Sequence, residues 1–371
     1  MLPNTSTAVV TGAAGFLGRN LVVRLGETDA RVLPLTRETS PEDEDRMIAA
    51  ADVVFHLAGA IRPTDPTEFT RTEAYTRRVA DAIARSGRRP LVIVSSSIRA
   101  GDDTDYGRNK RAIEETLLDL SRDGQATVAV CRLPCVFGKW ARPNYNSVVA
   151  TFCHNLARGL PIRVDDPAAP LMLLYVDDLI DQWRALVAAP PTQSGMVKTG
   201  AIHQTTVGEV ESLVRGFASG RASGRVGSVG SGLERALYAT FVAALPAEEF
   251  SYPLAAHTDA RGSFTEMLKT PASGQFSYFT AHPGVTRGGH YHHSKVEKFL
   301  IVHGEALFRF RHIVSGDAHE IRTSAERPMV VETVPGWTHD VTNVGDGMMV
   351  SVIWANEVFD RERPDTVAMT L

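Results

Sequence analysis

At 371 residues, with 43% hydrophobic and 22% charged residues, the chain has the make-up of a folded protein with room for two or three cores, and long disorder is excluded. A formal net charge of -4 leaves no broad cationic field to hold a polyanion, so nucleic acid is not an expected partner. Cys131, Cys135 and Cys153 are too few and too clustered for a disulfide framework, which fits a reducing cytoplasm, and the absence of any apolar run of about 18 residues excludes a membrane-spanning helix.

The first apolar run, Ala8 to Thr11, reads as a strand and not an export signal. Further β-rich runs follow at Arg31 to Leu35, Val53 to Ala58, Leu91 to Ser95 and Val128 to Leu133, with longer amphipathic segments between them. Because these runs are almost continuously apolar, they predict strands buried on both faces, in a Rossmann-like, doubly wound parallel sheet of α/β class. Residues 218–232 are rich in Gly and Ser and predict a flexible surface loop. After Pro246 the text changes to short strands, including Phe299 to His303, Ala306 to Phe310 and Met348 to Trp354, so a boundary is placed between 245 and 246, with an all-β domain after it.

Gly12, Gly15 and Gly18 are spaced as Gly-x-x-Gly-x-x-Gly directly after the first strand, where a helix is due to open. In that context the first glycine permits a tight turn, the second lets the backbone approach a pyrophosphate, the third allows close helix packing, and the helix N-terminus favours the anion. A dinucleotide is the expected ligand. Arg37 ends the second strand where an acidic residue would hold a free ribose hydroxyl, so the guanidinium favours the 2′-phosphate of NADPH over NAD. Arg19 is either a helper or a solvated helix residue. Tyr106 and Lys110, spaced Tyr-x-x-x-Lys, lie on one face of a helix that follows Ser95-Ser96-Ser97. A tyrosine can protonate a carbonyl oxygen as hydride reaches its carbon, provided a lysine cation lowers its pKa and a serine bonds the same oxygen.

These residues, with His56-Leu57-Ala58-Gly59 and Tyr175-Val176-Asp177-Asp178, make residues 7–245 resemble the extended short-chain dehydrogenases/reductases. The resemblance implies a nucleotide-sugar substrate, coenzyme contacts from Gly12, Gly15, Phe16, Leu17, Gly18, Leu57 and Ala58, Tyr106 as general acid, and Lys110 on the nicotinamide ribose. Ser97, with Ser96 the alternative, would orient the ketone. Sugar dehydratases of the family carry an Asp-Glu pair where this chain reads Ser97-Ile98-Arg99, so simple reduction is favoured over dehydration.

His290, His292, Glu297 and His339 have the residue types and spacing of a metal cage in a β-barrel. Residues two apart on a strand face one side, so His290 and His292 point together, and three imidazoles with a carboxylate suit Zn²⁺ or another divalent transition ion. A metal-free barrel with a histidine base is the alternative. Gly284-x5-His290-x-His292-x4-Glu297-x6-Gly304 and Gly336-x2-His339-x3-Asn343 resemble the two cupin motifs, except that Pro335 directly precedes Gly336. Asp259 to Glu266 and Arg287 to Tyr291 are similar to segments of the cupin-type sugar-nucleotide epimerases, which implies substrate contacts from Arg261 and Glu266. The base that such an epimerase needs stays open among His290, Tyr291, Lys298 and Lys269.

A reductase fused to a cupin in this arrangement resembles the bifunctional enzymes of capsular polysaccharide synthesis over nearly the whole chain. That implies a homodimer acting on a UDP-linked keto-sugar. The cupin would epimerise carbon three of a UDP-2-acetamido-2,6-dideoxy-4-hexulose, and the first domain would reduce its ketone with NADPH toward UDP-N-acetyl-L-fucosamine. A one-step reductase with a cupin serving only for dimerisation or sugar sensing is the other reading.

Overall fold

The computed structural model describes residues 6–61, 65, 67–254, 256–259, 262–265, 268, 270, 274–357, 360 and 362–371. Two compact units interleave along the chain: Met1–Phe137, Tyr145–Ser147 and Leu171–Gln204 form the first, and Gly138–Asn144, Val148–Pro170 and Thr205–Leu371 the second. Among the described residues no helix is long and apolar enough to cross a membrane.

The first unit alternates β1 (Thr7–Thr11), α1 (Phe16–Gly26), β2 (Arg31–Leu35), α2 (Pro41–Ala49), β3 (Val53–His56), α3 (Thr67–Ser86), β4 (Leu91–Ser97), α4 (Asp105–Arg122), β5 (Thr127–Leu133) and β6 (Cys135–Phe137). After α5 (Val148–Leu156), which belongs to the second unit, come β7 (Pro170–Tyr175), α6 (Val176–Ala188), β8 (Gly195–Met196) and β9 (Ile202–Thr206). The main sheet runs β2-β1-β3-β4-β5-β8, all parallel, as the continuously apolar strands predict. Alternate residues serve opposite faces: Val9, Val54, Val92 and Val128 pack with Ile48, Val79, Ile83 and Ile113 of α2, α3 and α4, while Phe55 turns the other way onto Trp183 of α6. Strand order reverses between β1 and β3, and such a switch point leaves a crevice at the carboxyl ends of the strands.

The second unit continues with α7 (Val207–Ser223), α8 (Gly232–Ala243) and the strands β10 (Ser251–Pro253), β11 (Ala256–Asp259), β12 (Gly262–Thr265), β13 (Gln275–Ala281), β14 (Thr286–Tyr291), β15 (Glu297–His303), β16 (Glu305–His312), β17 (Ala318–Ser324), β18 (Met329–Glu332), β19 (Trp337–Asn343), β20 (Met349–Ala355) and β21 (Val367–Ala368). Two five-stranded antiparallel sheets, β10-β18-β15-β20-β13 and β17-β16-β19-β14-β21, form the all-β half. Phe299 meets Phe279 and Phe308 edge-on between the sheets, at 6.2 and 5.5 Å, so odd-numbered residues of β15 face the interior.

The Gly/Ser-rich stretch 218–232 differs from its expected flexibility. Helix α7 continues to Ser223 and stops at Gly224, whose φ of 66° supplies a left-handed C-cap bonded back to Gly220. Val229 beyond it is fully buried. Glycine here serves close return of the chain, since a Cβ on Gly220 would lie 2.3 Å from the Arg225 carbonyl oxygen. Helices α7 and α8 lie upstream of residue 246 yet belong to the second unit, so the change in composition marks where strands begin and not where compactness divides.

Candidate functional site

Strand β1 delivers the chain into the switch-point crevice through Gly12, which has φ +65°, and a Cβ there would lie 2.9 Å from the Ala58 amide nitrogen. Gly18, the last of the series, sits so close beneath the turn that its Cβ would approach the Gly12 carbonyl oxygen to 2.3 Å. Helix α1 starts at Phe16 and Leu17 with Gly15 as N-cap, and neither a capping side chain nor an acidic residue occupies its first turn. Its leading amides are therefore oriented for an anion.

Thr11 ties this turn to the loop after β3. Its Oγ1 accepts from the amides of Leu57 and Ala58, both at 3.1 Å, and lies 3.3 Å from His56 Nδ1. Thr76 Oγ1 donates to the Thr72 carbonyl and stands 3.0 Å from His56 Nε2. The Thr76 hydroxyl is thereby left to accept from Nε2–H, and Nδ1 accepts from Thr11. Burial, with Lys110 nearby, lowers His56 to about 3, so the crevice floor is neutral.

Across the crevice, Thr104 caps α4 by accepting from the Gly107 amide at 3.1 Å, which fixes where Tyr106 and Lys110 project. Lys110 Nζ donates to the Ser95 carbonyl at 3.1 Å, and burial, partly opposed by Glu114, brings it down to about 8. Tyr106 lies beside Ser97; burial raises its phenol, and Ser97 and Arg99 only partly offset that rise. The phenol thus stays protonated at neutral pH, whereas the sequence led us to expect a lowered value, and Lys110 stands 5.9 Å from its ring centroid. Ser96 is committed elsewhere: its hydroxyl donates to Glu114, which is itself paired with both Arg132 Nε at 2.9 Å and Arg132 Nη2 at 2.6 Å. Arg37 is exposed two residues beyond β2, at the same end of the sheet as Gly12.

In the second unit, β14 and β19 pair antiparallel with His290 opposite His339, after a bulge at Gly288 to His290. The bulge needs glycine: Gly288 has φ +103°, and its Cβ would lie 2.9 Å from the His339 carbonyl oxygen. His292 follows the end of β14 and Glu297 opens β15, so one short loop carries a ligand at each end. The candidate ligand atoms of His290, His292, Glu297 and His339 all lie within 4.8 Å of one another. Gly336 N donates to the His292 carbonyl at 3.0 Å, so the displaced proline leaves the turn before His339 tied to the cage.

The donor set tests itself for a cation. His292 Nδ1 is 2.6 Å from the Asp365 carbonyl oxygen, to which it can only donate, so in neutral His292 the Nε2 lone pair faces Glu297 Oε2 at 3.2 Å. Two lone pairs at that separation need a positive centre between them. His339 repeats the pattern: Nδ1 is 3.4 Å from the Trp337 carbonyl, and Nε2 is buried without a hydrogen-bond partner among the described residues. Burial takes His339 down to about 3, and Glu297 is held at about 2 against the pull of burial, with His292, His339 and Lys295 around its carboxylate. Neutral imidazoles and an ionised carboxylate are what a divalent transition metal takes.

Other sequence candidates fall outside the cage. Lys298 points to the opposite face of β15, where it bonds Tyr252 Oη at 3.1 Å and pairs with buried Glu332, which also meets Arg221. Tyr291 packs edge-on against His293 at 5.4 Å, between the two inward histidines. Arg261, Glu266 and Lys269 lie outside the described residues. The sequence reading missed Asp365, whose carboxylate accepts from three successive amides of the His292 to Glu297 loop, and Lys295, whose Nζ is 3.7 Å from Glu297 Oε1.

Two family profiles match the chain: the NAD dependent epimerase/dehydratase family over residues 8–196, and the polysaccharide biosynthesis C-terminal domain over 257–367. A UDP-2-acetamido-2,6-beta-L-arabino-hexul-4-ose reductase from Pseudomonas aeruginosa is 48% identical over 365 residues, covering 98% of each chain. The crystal structure of the capsular polysaccharide assembling protein CapF from Staphylococcus aureus is similar over 98% of this chain and 100% of its own, with 37% identity and a TM-score of 0.66. A CapF structure with the inhibitor 3-isopropenyl-tropolone matches at 36% identity and a TM-score of 0.63, over 98% of this chain and 100% of its own. With the glycine turn, the switch-point crevice and a relative matched end to end, the chain belongs to the NAD dependent epimerase/dehydratase family, in a form extended by the polysaccharide biosynthesis C-terminal domain.

Proposed function

We propose that the chain carries out two consecutive steps on a UDP-linked 2-acetamido-2,6-dideoxy-4-hexulose, epimerising carbon three at the cage and then reducing the 4-ketone with NADPH in the first unit. The observation that carries this reading is the convergence of the Ser97 hydroxyl, the Tyr106 phenol and Lys110 beside an anion-ready helix start. The name of the 48% identical relative, a reductase of a UDP-linked hexul-4-ose, supports the substrate class. The product lies toward UDP-N-acetyl-L-fucosamine and a surface polysaccharide, and the working form is a cytoplasmic homodimer.

Gly12 to Gly18, Leu57, Ala58 and Arg37 hold the coenzyme, with Arg37 reading the 2′-phosphate. Bound NADPH supplies the hydride to the carbonyl carbon. Tyr106 gives its proton to the ketone oxygen, Ser97 hydrogen-bonds that oxygen, and Lys110 binds the ribose and steadies the phenolate left behind. Ser97 is preferred to Ser96 because the Ser96 hydroxyl is spent on Glu114. Reduction must come second, since the ketone is what acidifies the neighbouring hydrogen.

In the cage, His290, His292, Glu297 and His339 would hold Zn²⁺ or a similar ion, which supplies Lewis acidity to an adjacent carbonyl oxygen. Arg261 and Glu266 are assigned to the substrate, and the proton-abstracting group is left unassigned.

The test uses the keto-sugar in heavy water without NADPH. Deuterium entering carbon three, and its loss in His290→Ala, is expected; no exchange in the intact protein overturns the epimerase half and leaves a one-step reductase. Normal NADPH oxidation by Tyr106→Phe overturns the reductase half.

A further inference from the structure

We propose that Asp365 and Thr366 are positioning residues for the metal cage, Asp365 setting His292 and closing the loop between the ligands, Thr366 holding Lys295 beside Glu297. This rests on reading the four-residue cluster as a metal site. The geometry is specific. His292 Nδ1 donates to the Asp365 carbonyl at 2.6 Å, which selects the tautomer whose Nε2 lone pair faces Glu297. The Asp365 carboxylate accepts from the amides of His293 at 2.9 Å and of Ser294 and Lys295 at 2.8 Å, and from Ser294 Oγ at 3.1 Å. Those residues span the interval between His292 and Glu297, so one side chain sets the separation of two ligands.

Thr366 extends the support. Its Oγ1 accepts from Lys295 Nζ at 2.9 Å while donating to the Pro364 carbonyl at 2.8 Å. Lys295 Nζ in turn stands 3.7 Å from Glu297 Oε1. The next residues lock the segment in place, as Val367 and Ala368 pair with Tyr291 and His290, and the Met369 amide donates to Gly289 at 2.8 Å. Asp365 itself has φ +31°, an uncommon conformation for a residue with a Cβ. Strain held at this point, by bonds that all lead to the ligand loop, marks a position built for that loop.

The experiment measures metal binding in the full-length protein by Zn²⁺ competition with a chelating dye and by the visible absorption of bound Co²⁺. Asp365→Gly keeps the backbone carbonyl and relaxes φ while deleting the carboxylate. Asp365→Asn keeps the shape and tolerates φ above zero, yet offers only one acceptor oxygen. Zn²⁺ affinity is expected to fall about 10–100-fold in both, with a changed Co²⁺ spectrum and unchanged NADPH affinity in the first unit. If Asp365→Gly does not fold, Asp365→Asn decides alone, and should it fail too, Thr366→Val decides through the same Co²⁺ spectrum, expected to change. Unchanged affinity and spectrum in every variant that folds overturn the inference and leave the cage standing. Failure of the unaltered protein to bind either ion overturns the metal reading itself.

Discussion

The crevice of the first unit and the cage of the second are built from opposite materials. The crevice presents backbone: the Gly12 turn, the uncapped start of α1, and a floor where burial keeps His56 neutral between Thr11 and Thr76. The cage presents side chains, with converging lone pairs held from behind by carbonyls and amides. A site made of backbone receives an anion through dipoles already in place, whereas a site of buried lone pairs is stabilised only when a cation fills it. The two should therefore respond independently to substitutions.

The strongest test of that independence is Tyr106→Phe, expected to lower the rate of ketone reduction by about 10²–10⁴-fold while deuterium exchange at carbon three proceeds as before. A parallel loss of exchange would show the sites to be coupled. Next in size is Lys298→Ala, which removes one partner from a buried ion cluster with Glu332 and Arg221 and should destabilise by about 3–5 kcal/mol in urea unfolding. Exchange should survive, because Lys298 faces away from the cage; its abolition in folded protein would restore Lys298 as a base. Arg37→Ser should reduce the preference for NADPH over NADH about tenfold, the worth of one charge-assisted contact, read from the two kcat/KM values.

The smallest effect is that of pH. Burial lowers Lys110 to about 8, so the cation is present below that value and lost above it. The kcat/KM of reduction should be level below about pH 8, half-maximal there and declining above, while metal affinity, set by other groups, does not follow this curve.

What the sequence made legible follows the same division. The glycine turn after β1, the placing of Tyr106 and Lys110 on one helix and the meeting of His290, His292, Glu297 and His339 were readable because spacing within short segments sets them. Ser97 was preferred to Ser96 by resemblance alone, and the physical ground for that preference was not readable, since it lies in Glu114 reaching Ser96 and Arg132 from a helix. Asp365 left no trace in the sequence: its own carbonyl meets the His292 ring and its carboxylate meets three amides, all about seventy residues away in the chain, and any backbone supplies such a carbonyl and such amides. Residues 218–232 misled because glycine signals both freedom and tight approach, and only the contacts of Gly220 and Gly224 show which applies.

The interleaving of the two units has a consequence for heredity. A gene split at codon 246 would yield a barrel whose Lys298 and Glu332 had lost Arg221, and an upstream product whose Trp140, which would collide with any Cβ on Gly336, had lost Gly336 and His312. Fission at that point would release two chains each with a raw face, so descent should keep the halves as one reading frame.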